Sequence, residues 1–286
     1  MIGSYYIPVG TTFVMETLGD LVARDRRTRE PALWAPGVAY DYHQLCTTAQ
    51  KTGNFFRHYG IGHGETVGIA TSPGGPPILS LFGAALLGGR VRFEPPKSID
   101  LRLLVAPADR IESYDLPPSA GRVSYAGEST DPTIDPFGAG VWSENPACPT
   151  PSELDPDDPV LSTDERAFTH ATLLAAAESA IERWEITASD ELTIRTPLSR
   201  PETVVVGILA PILVGATVVV PETSDDGTSE AVTPVTSENV TTGTAGAVTP
   251  ETKDAVEPAT IAIVKPGKSA PESTIVPIDE ISLSMR

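Results

Sequence analysis

Apolar and polar residues alternate with two different periods along this chain, and the pattern predicts strands interleaved with helices. Between Glu16 and Arg29, Leu18, Leu21 and Val22 precede the basic run RDRRTR. That predicts a helix whose cations sit at its C-terminal end, where the helix dipole favours them. ALW and VAY flank Pro36-Gly37, the signature of a hairpin turn. From Tyr42 to about Tyr59, Leu45, Ala49, Phe55 and Phe56 mark the apolar side of a second helix. TVGIAT (66–71) reads as a buried strand, SPGGPPILSLFGAALLGG as a turn and a small-residue helix, and RVRFE as the next strand. Together they form one β-α-β unit. LRLLVAP and RVSYAG predict further strands.

Residues 128–158 are rich in Pro, Asp, Ser and Gly and carry no period, so they read as a linker or long loop. A second array then begins. Val160–Thr163 is a strand pattern. Thr169 to Trp184 places Leu173, Leu174, Ala177, Ile181 and Trp184 at helical spacing. ELTIRTPL is a strand, PETVVVGILAPILVG a helix opening on Pro201, and ATVVVPE a strand. The alternation predicts an α/β fold with mostly parallel sheets covered by helices. The expected organisation is a first β-α-β subdomain at 1–127, the linker at 128–158, and a second subdomain at 159–222. Residues 223–286 follow as a Thr-, Glu- and Pro-rich segment, partly irregular. Within it, TIAIVKPG and STIVPIDEISLSM are strand patterns suited to a sheet edge.

Charge adds to this picture. The net charge is −18, with 38 acidic residues against 20 basic ones, and only five of the basic residues are lysine. Acid excess with few lysines fits a halophilic protein, because molar salt shortens the Debye length to about 3 Å and relieves acidic self-repulsion. No basic patch suits nucleic acid. No apolar run approaches the roughly 20 residues that span a bilayer, and the start MIGSYYIPVG lacks a basic n-region. A cytoplasmic location without membrane or nucleic-acid partners is expected. Cys46 and Cys148 belong to no C-x-x-C pair and no metal-ligand cluster, and read as buried thiols.

The stretch VLSTDERAFTHATLLAAA (160–177) carries the chemical question. It predicts strand, tight turn and helix, the place where α/β proteins hold phosphates, yet the turn has no glycine and no lysine. Thr169 is placed as the N-cap of the helix. His170, in the first turn, is either a partly exposed polar residue or a ligand contact. YGIGHGE has three glycines, but they precede a strand, which is the wrong order for a dinucleotide fingerprint. SPGGPP does open a helix, but Pro73, Pro76 and Pro77 offer no N–H donors. His43, His58 and His63 are scattered, and no G-x-S-x-G elbow occurs.

ALWAPGVAYDYHQLCTTAQKTGNFFRHYGIGHGETVGIATSPGGPPILSLFGAALLGGRVRF resembles the N-terminal region of the adenylate-forming superfamily, which includes acyl-CoA synthetases. FTHATLLAAA is similar to that family's LTHxNLLAAA, and PLSRPETVVVGILAPILVGATVVV to its PLFHxxG…LLAPLLAGATVVL. The resemblance runs from about Leu18 to Pro221. It implies a site for ATP or AMP with Mg, lined here by Ser162, Thr163, Arg166 and His170. The departures imply the opposite. The family's YTSGTTGxPKG is reduced to LSTDERAF, and no lysine lies between Ser98 and Thr252. Ser199 and Arg200 stand where the family has PLFH, and YGxTE is missing. The first expectation is therefore a truncated, catalytically inactive relative with no catalytic residues and no confident cofactor, working as a binding or regulatory scaffold for a protein such as a full-length synthetase. The alternative is an active acyl-CoA ligase whose ATP site is unconventional or completed by a partner.

Overall fold

The structure, a computed structural model, describes residues 15–149, 151, 153–222, 260–264 and 274–277. Two sheets share one continuous apolar core, drawn from the helices and from both sets of strands.

The first sheet is built around β3 (Thr66–Ile69) and β4 (Arg90–Phe93), joined by α2 (Pro76–Ala85). Beside β3 come β5 (Leu103–Pro107), β6 (Gly121–Tyr125) and the short β7 (Asp135–Pro136); beside β4 come β8 (Pro159–Ser162) and β9 (Ala167–Thr169). All these pairings are parallel except that of β8 with β9. The second sheet contains β10 (Glu191–Ile194), β11 (Thr217–Val219), and the hairpin of β1 (Pro31–Ala35) and β2 (Val38–Asp41). Its far edge is formed by β12 (Thr260–Val264) and β13 (Thr274–Pro277), both parallel to β10, so the two late strand patterns do extend a sheet. The rest of 223–286, and the first 14 residues, lie outside the described residues.

The sheets do not divide between residues 127 and 159. The early hairpin crosses to the second sheet, where Leu33 pairs with Val218, and the later hairpin returns to the first, where Leu161 pairs with Val91. One strand of each hairpin pairs edge to edge with a parallel strand, β1 with β11 and β8 with β4, so the backbone ladder of that sheet continues through it, and this pairing outweighs proximity along the chain.

α1 (Tyr42–Arg57) opens with a capping box between Asp41 and Gln44 and buries Leu45, Ala49 and Phe56. It crosses α2 with backbones nearly touching. A Cβ added at Gly83 would lie 2.6 Å from Thr52 Cγ2 and 3.1 Å from the Gly53 nitrogen. Both cysteines are buried free thiols, and burial pushes Cys46 up to about 11.

Three expectations change. Glu16 to Arg29 is not a helix but two single 3₁₀ turns, Leu18–Val22 and Arg24–Arg26, separated by extended Ala23. Its cations cap a different element. Arg26 donates to the carbonyls of Ile212 and Leu213, in the last turn of α6 (Ala210–Val214). Residues 128–158 are more than a linker. They hold β7 and α3 (Phe137–Trp142), with Phe137 and Val141 buried and Gly140 against the Phe55 ring. The helix opening on Pro201 is interrupted. α5 (Pro201–Val204) runs into a π-helical stretch, Val205–Leu209, before α6. Pro211 explains this, since its ring displaces the carbonyl four residues back and its missing N–H breaks the α ladder.

Candidate functional site

The turn between β8 and β9 is where the resemblance places a phosphate loop. Its four residues instead close on themselves. The Thr163 N–H donates to the Arg166 carbonyl at 2.8 Å. The Thr163 hydroxyl accepts from the N–H groups of Arg166 and Glu165 at 3.2 and 3.3 Å. Backbone donors that could hold a phosphate are thereby spent inside the turn. The Ser162 hydroxyl reaches the Val91 carbonyl, also away from the turn. Asp164, exposed at the tip, pairs with Arg92 of β4. Arg166 is exposed, its guanidinium 5.6 Å above the Phe168 ring. A triphosphate would meet two carboxylates, Asp164 and Glu165, and three donors already in use. These residues do not fit ATP with Mg.

His170 opens α4 (His170–Trp184) behind Thr169, whose hydroxyl accepts from the Thr172 N–H as the expected N-cap. The imidazole is fully buried rather than partly exposed, because Nδ1 accepts from the Leu18 N–H at 3.0 Å. Burial pushes its pKa down to about 4, against the smaller opposing pull of Asp158 and Asp20. The structure thus brings Ser162, Thr163 and Arg166 together at one turn and sets His170 apart in the core.

A second polar constellation sits at the carboxyl ends of β3, β4 and β5, where parallel sheets bind ligands. Glu94 follows β4 in a left-handed backbone conformation (φ 46°) and turns its carboxylate back across the sheet. It accepts from the Thr71 N–H and hydroxyl, both at 2.6 Å, and from Arg110 at 2.6 Å. Arg110 also donates to the Thr71 carbonyl. Burial disfavours the ionised carboxylate, but the hydrogen bonds from Arg110 and Thr71 outweigh it and hold Glu94 below the usual carboxylate range. Next to it, Tyr125 at the end of β6 donates to the Ala70 carbonyl and accepts from the Ser72 N–H. Sequence reading passed over this group. Its signal is a carboxylate directly after the apolar strand in RVRFE and an arginine shortly after the one in VAPADR.

Beside this constellation opens a cleft of about 770 Å³, walled by α1, α3, Tyr40 of β2 and the Pro73–Pro76 turn. The SPGGPP segment thus lines a cavity. Of the scattered histidines, His43 lines the same cavity, while His58 and His63 meet Glu144 and Asp158 at the surface. Among the described residues no cluster of His, Cys, Asp and Glu could hold a metal ion. No described helix is long and apolar enough to cross a membrane.

No protein-family model matches the sequence, and no curated protein shows significant similarity to it. Solved structures do match its fold. The anthranilate CoA ligase AuaEII, solved with anthranoyl-AMP, superposes with a TM-score of 0.61 at 18% identity, covering 71% of this chain and 44% of its own. The nonribosomal peptide synthetase FmoA3, with AMPPNP bound, gives 0.59 at 22% identity over 73% of this chain and 23% of its own. The N-terminal domain of FACL13 from Mycobacterium tuberculosis gives 0.57 at 20% identity over 74% and 58%. The chain therefore has the fold of the N-terminal domain of adenylate-forming enzymes, and it spans less than two thirds of each of these structures.

Proposed function

We propose that this chain is a non-adenylating member of that structural class and works as a binding scaffold. One observation supports the reading above others: the β8–β9 turn is closed by its own hydrogen bonds, with Asp164 at its tip engaged by Arg92. A nucleotide would have to break those bonds and approach two carboxylates at once, without a lysine to offset them. The scaffold's partner is proposed to be a protein, a complete synthetase of the same fold being the leading candidate. Carboxylate-dependent exchange of pyrophosphate into ATP tests the proposal. The reading predicts none with any acid, and exchange above background overturns it.

A second reading has its own observation. The Arg166 side chain is exposed at the end of the turn, a cation that a phosphate could approach. In that reading a partner chain supplies the missing donors, and ATP with Mg binds only in the complex. Arg166→Ala then abolishes nucleotide binding by the complex, and undiminished binding rules the second reading out.

A further inference from the structure

We propose that the cleft between α1, α3 and the Pro73–Pro76 turn binds an amphipathic organic anion, a compound with a flat apolar body and one negatively charged head group. Its volume of about 770 Å³ suits a small molecule. It opens beyond the carboxyl ends of the parallel strands β3 and β6. Its walls are apolar and aromatic, with Tyr40, Tyr125, Phe137 and Trp142 among them. Trp142 is 81% exposed, although its helix neighbours Phe137 and Val141 are buried. An indole left in water at the rim of a concave apolar surface gains on covering a flat ligand. Ala126, which also lines the cleft, is held in the left-handed region (φ 51°), strain of the kind that collects at ligand sites.

Charge identifies the head group. This is a chain with 38 acidic residues and 20 basic ones, yet no Asp or Glu lines the cleft. The cation that does line it is Lys51, on the same face of α1 as Thr47 and His43, at four-residue spacing. The Lys51 ammonium donates to the Trp142 carbonyl at 2.9 Å and lies 5.3 Å from the Trp142 ring centre. An ammonium has three donors, so two remain for an anionic group laid along the indole. Lys51 reaches solvent, so an anion gains a charge-assisted partner there that a neutral ligand lacks, and a cationic ligand would be repelled. The inference does not rest on the loss of adenylation, since no residue of the β8–β9 turn lines the cleft.

The test is calorimetry and tryptophan fluorescence with three probes: a naphthoate, a naphthalenesulfonate, and naphthalenemethanol as the neutral counterpart. Both anions are expected to bind saturably, about tenfold more tightly than the alcohol. Lys51→Met removes that preference, so that anions and alcohol bind alike. Gly138→Trp fills the cleft and abolishes binding of all three probes; a Cβ added at Gly138 meets no atom within 4 Å, so the site accepts a side chain. Anions that do not saturate, that bind no better than the alcohol, or that keep their preference in Lys51→Met overturn the proposal. So does binding that survives Gly138→Trp in a variant that melts cooperatively. The comparison of anion with alcohol in the unmodified protein stands whatever the variants do.

Discussion

The Nδ1 of His170 accepts a hydrogen bond from the backbone N–H of Leu18, 3.0 Å away and 152 residues earlier in the chain. The bond fastens the N-terminal 3₁₀ turn to the start of α4. It requires a neutral imidazole with its proton on Nε2, a nitrogen that is buried without a hydrogen-bond partner among the described residues.

That geometry sets a pH dependence. The folded pKa is about 4, below the ordinary 6.5, so the unfolded chain takes up the proton first as pH falls. The stabilisation is complete above about pH 6.5 and is lost progressively between 6.5 and 4, up to roughly 3 kcal/mol. Asparagine at this position keeps an acceptor near Nδ1 and cannot titrate. Urea unfolding at pH 7 and pH 5 should show a larger loss for the natural protein than for His170→Asn. Equal losses would contradict the buried neutral imidazole.

Much of the fold was legible in the pattern of apolar residues. The hairpin around Pro36-Gly37, α1, α2, α4 and the strands β3, β4, β10 and β11 all stand where period and turn chemistry put them. What the sequence did not disclose were long-range pairings. Leu33 against Val218 and Arg26 against the end of α6 are choices made by packing, and local periodicity carries no trace of them. His170 shows the same limit. A histidine at a helix start looks solvent-facing until the Leu18 N–H covers it. The departure of the 163–166 turn from a phosphate loop was visible in the missing glycines, whereas the hydrogen bonds that close it became visible only in three dimensions.

Gly83 predicts a steric result. An added Cβ lies 2.6 Å from Thr52 Cγ2, 2.9 Å from Thr52 Cβ and 3.1 Å from the Gly53 nitrogen, so α1 and α2 must separate to admit it. Gly83→Ala should cost about 1–3 kcal/mol in chemical denaturation. Thr52→Ser removes the nearest methyl and keeps the hydroxyl that bonds the Thr48 carbonyl. It should recover part of the loss, giving a coupling of at least about 0.5 kcal/mol in a double-mutant cycle. Strict additivity would place the strain elsewhere.

Glu94 combines a strained backbone with a side chain that offsets the strain. Glu94→Ala removes the bonds to Thr71 and Arg110 and keeps the left-handed conformation, whereas Glu94→Gly removes the bonds and the strain together. The glycine variant should be the more stable of the two by about 1 kcal/mol. The difference in urea midpoints measures it directly, and an alanine variant at least as stable as the glycine variant would refute the assignment of strain.

The acidic surface predicts a salt response. With a net charge of −18, self-repulsion destabilises the compact state at low ionic strength. The melting midpoint should rise by several degrees between about 0.2 M and 2 M KCl as screening shortens the Debye length. A midpoint that stays level or falls would remove the case for adaptation to high salt.

The central claim is that the β8–β9 turn has exchanged nucleotide binding for a closed, self-bonded structure. Calorimetric titration of the folded protein with Mg-ATP, in about 2 M KCl to screen the acidic surface, tests it most directly. The closed turn predicts no saturable heat from a protein that melts cooperatively in the same buffer. Saturable binding that Arg166→Ala abolishes would contradict it, and would show that this turn still holds a phosphate.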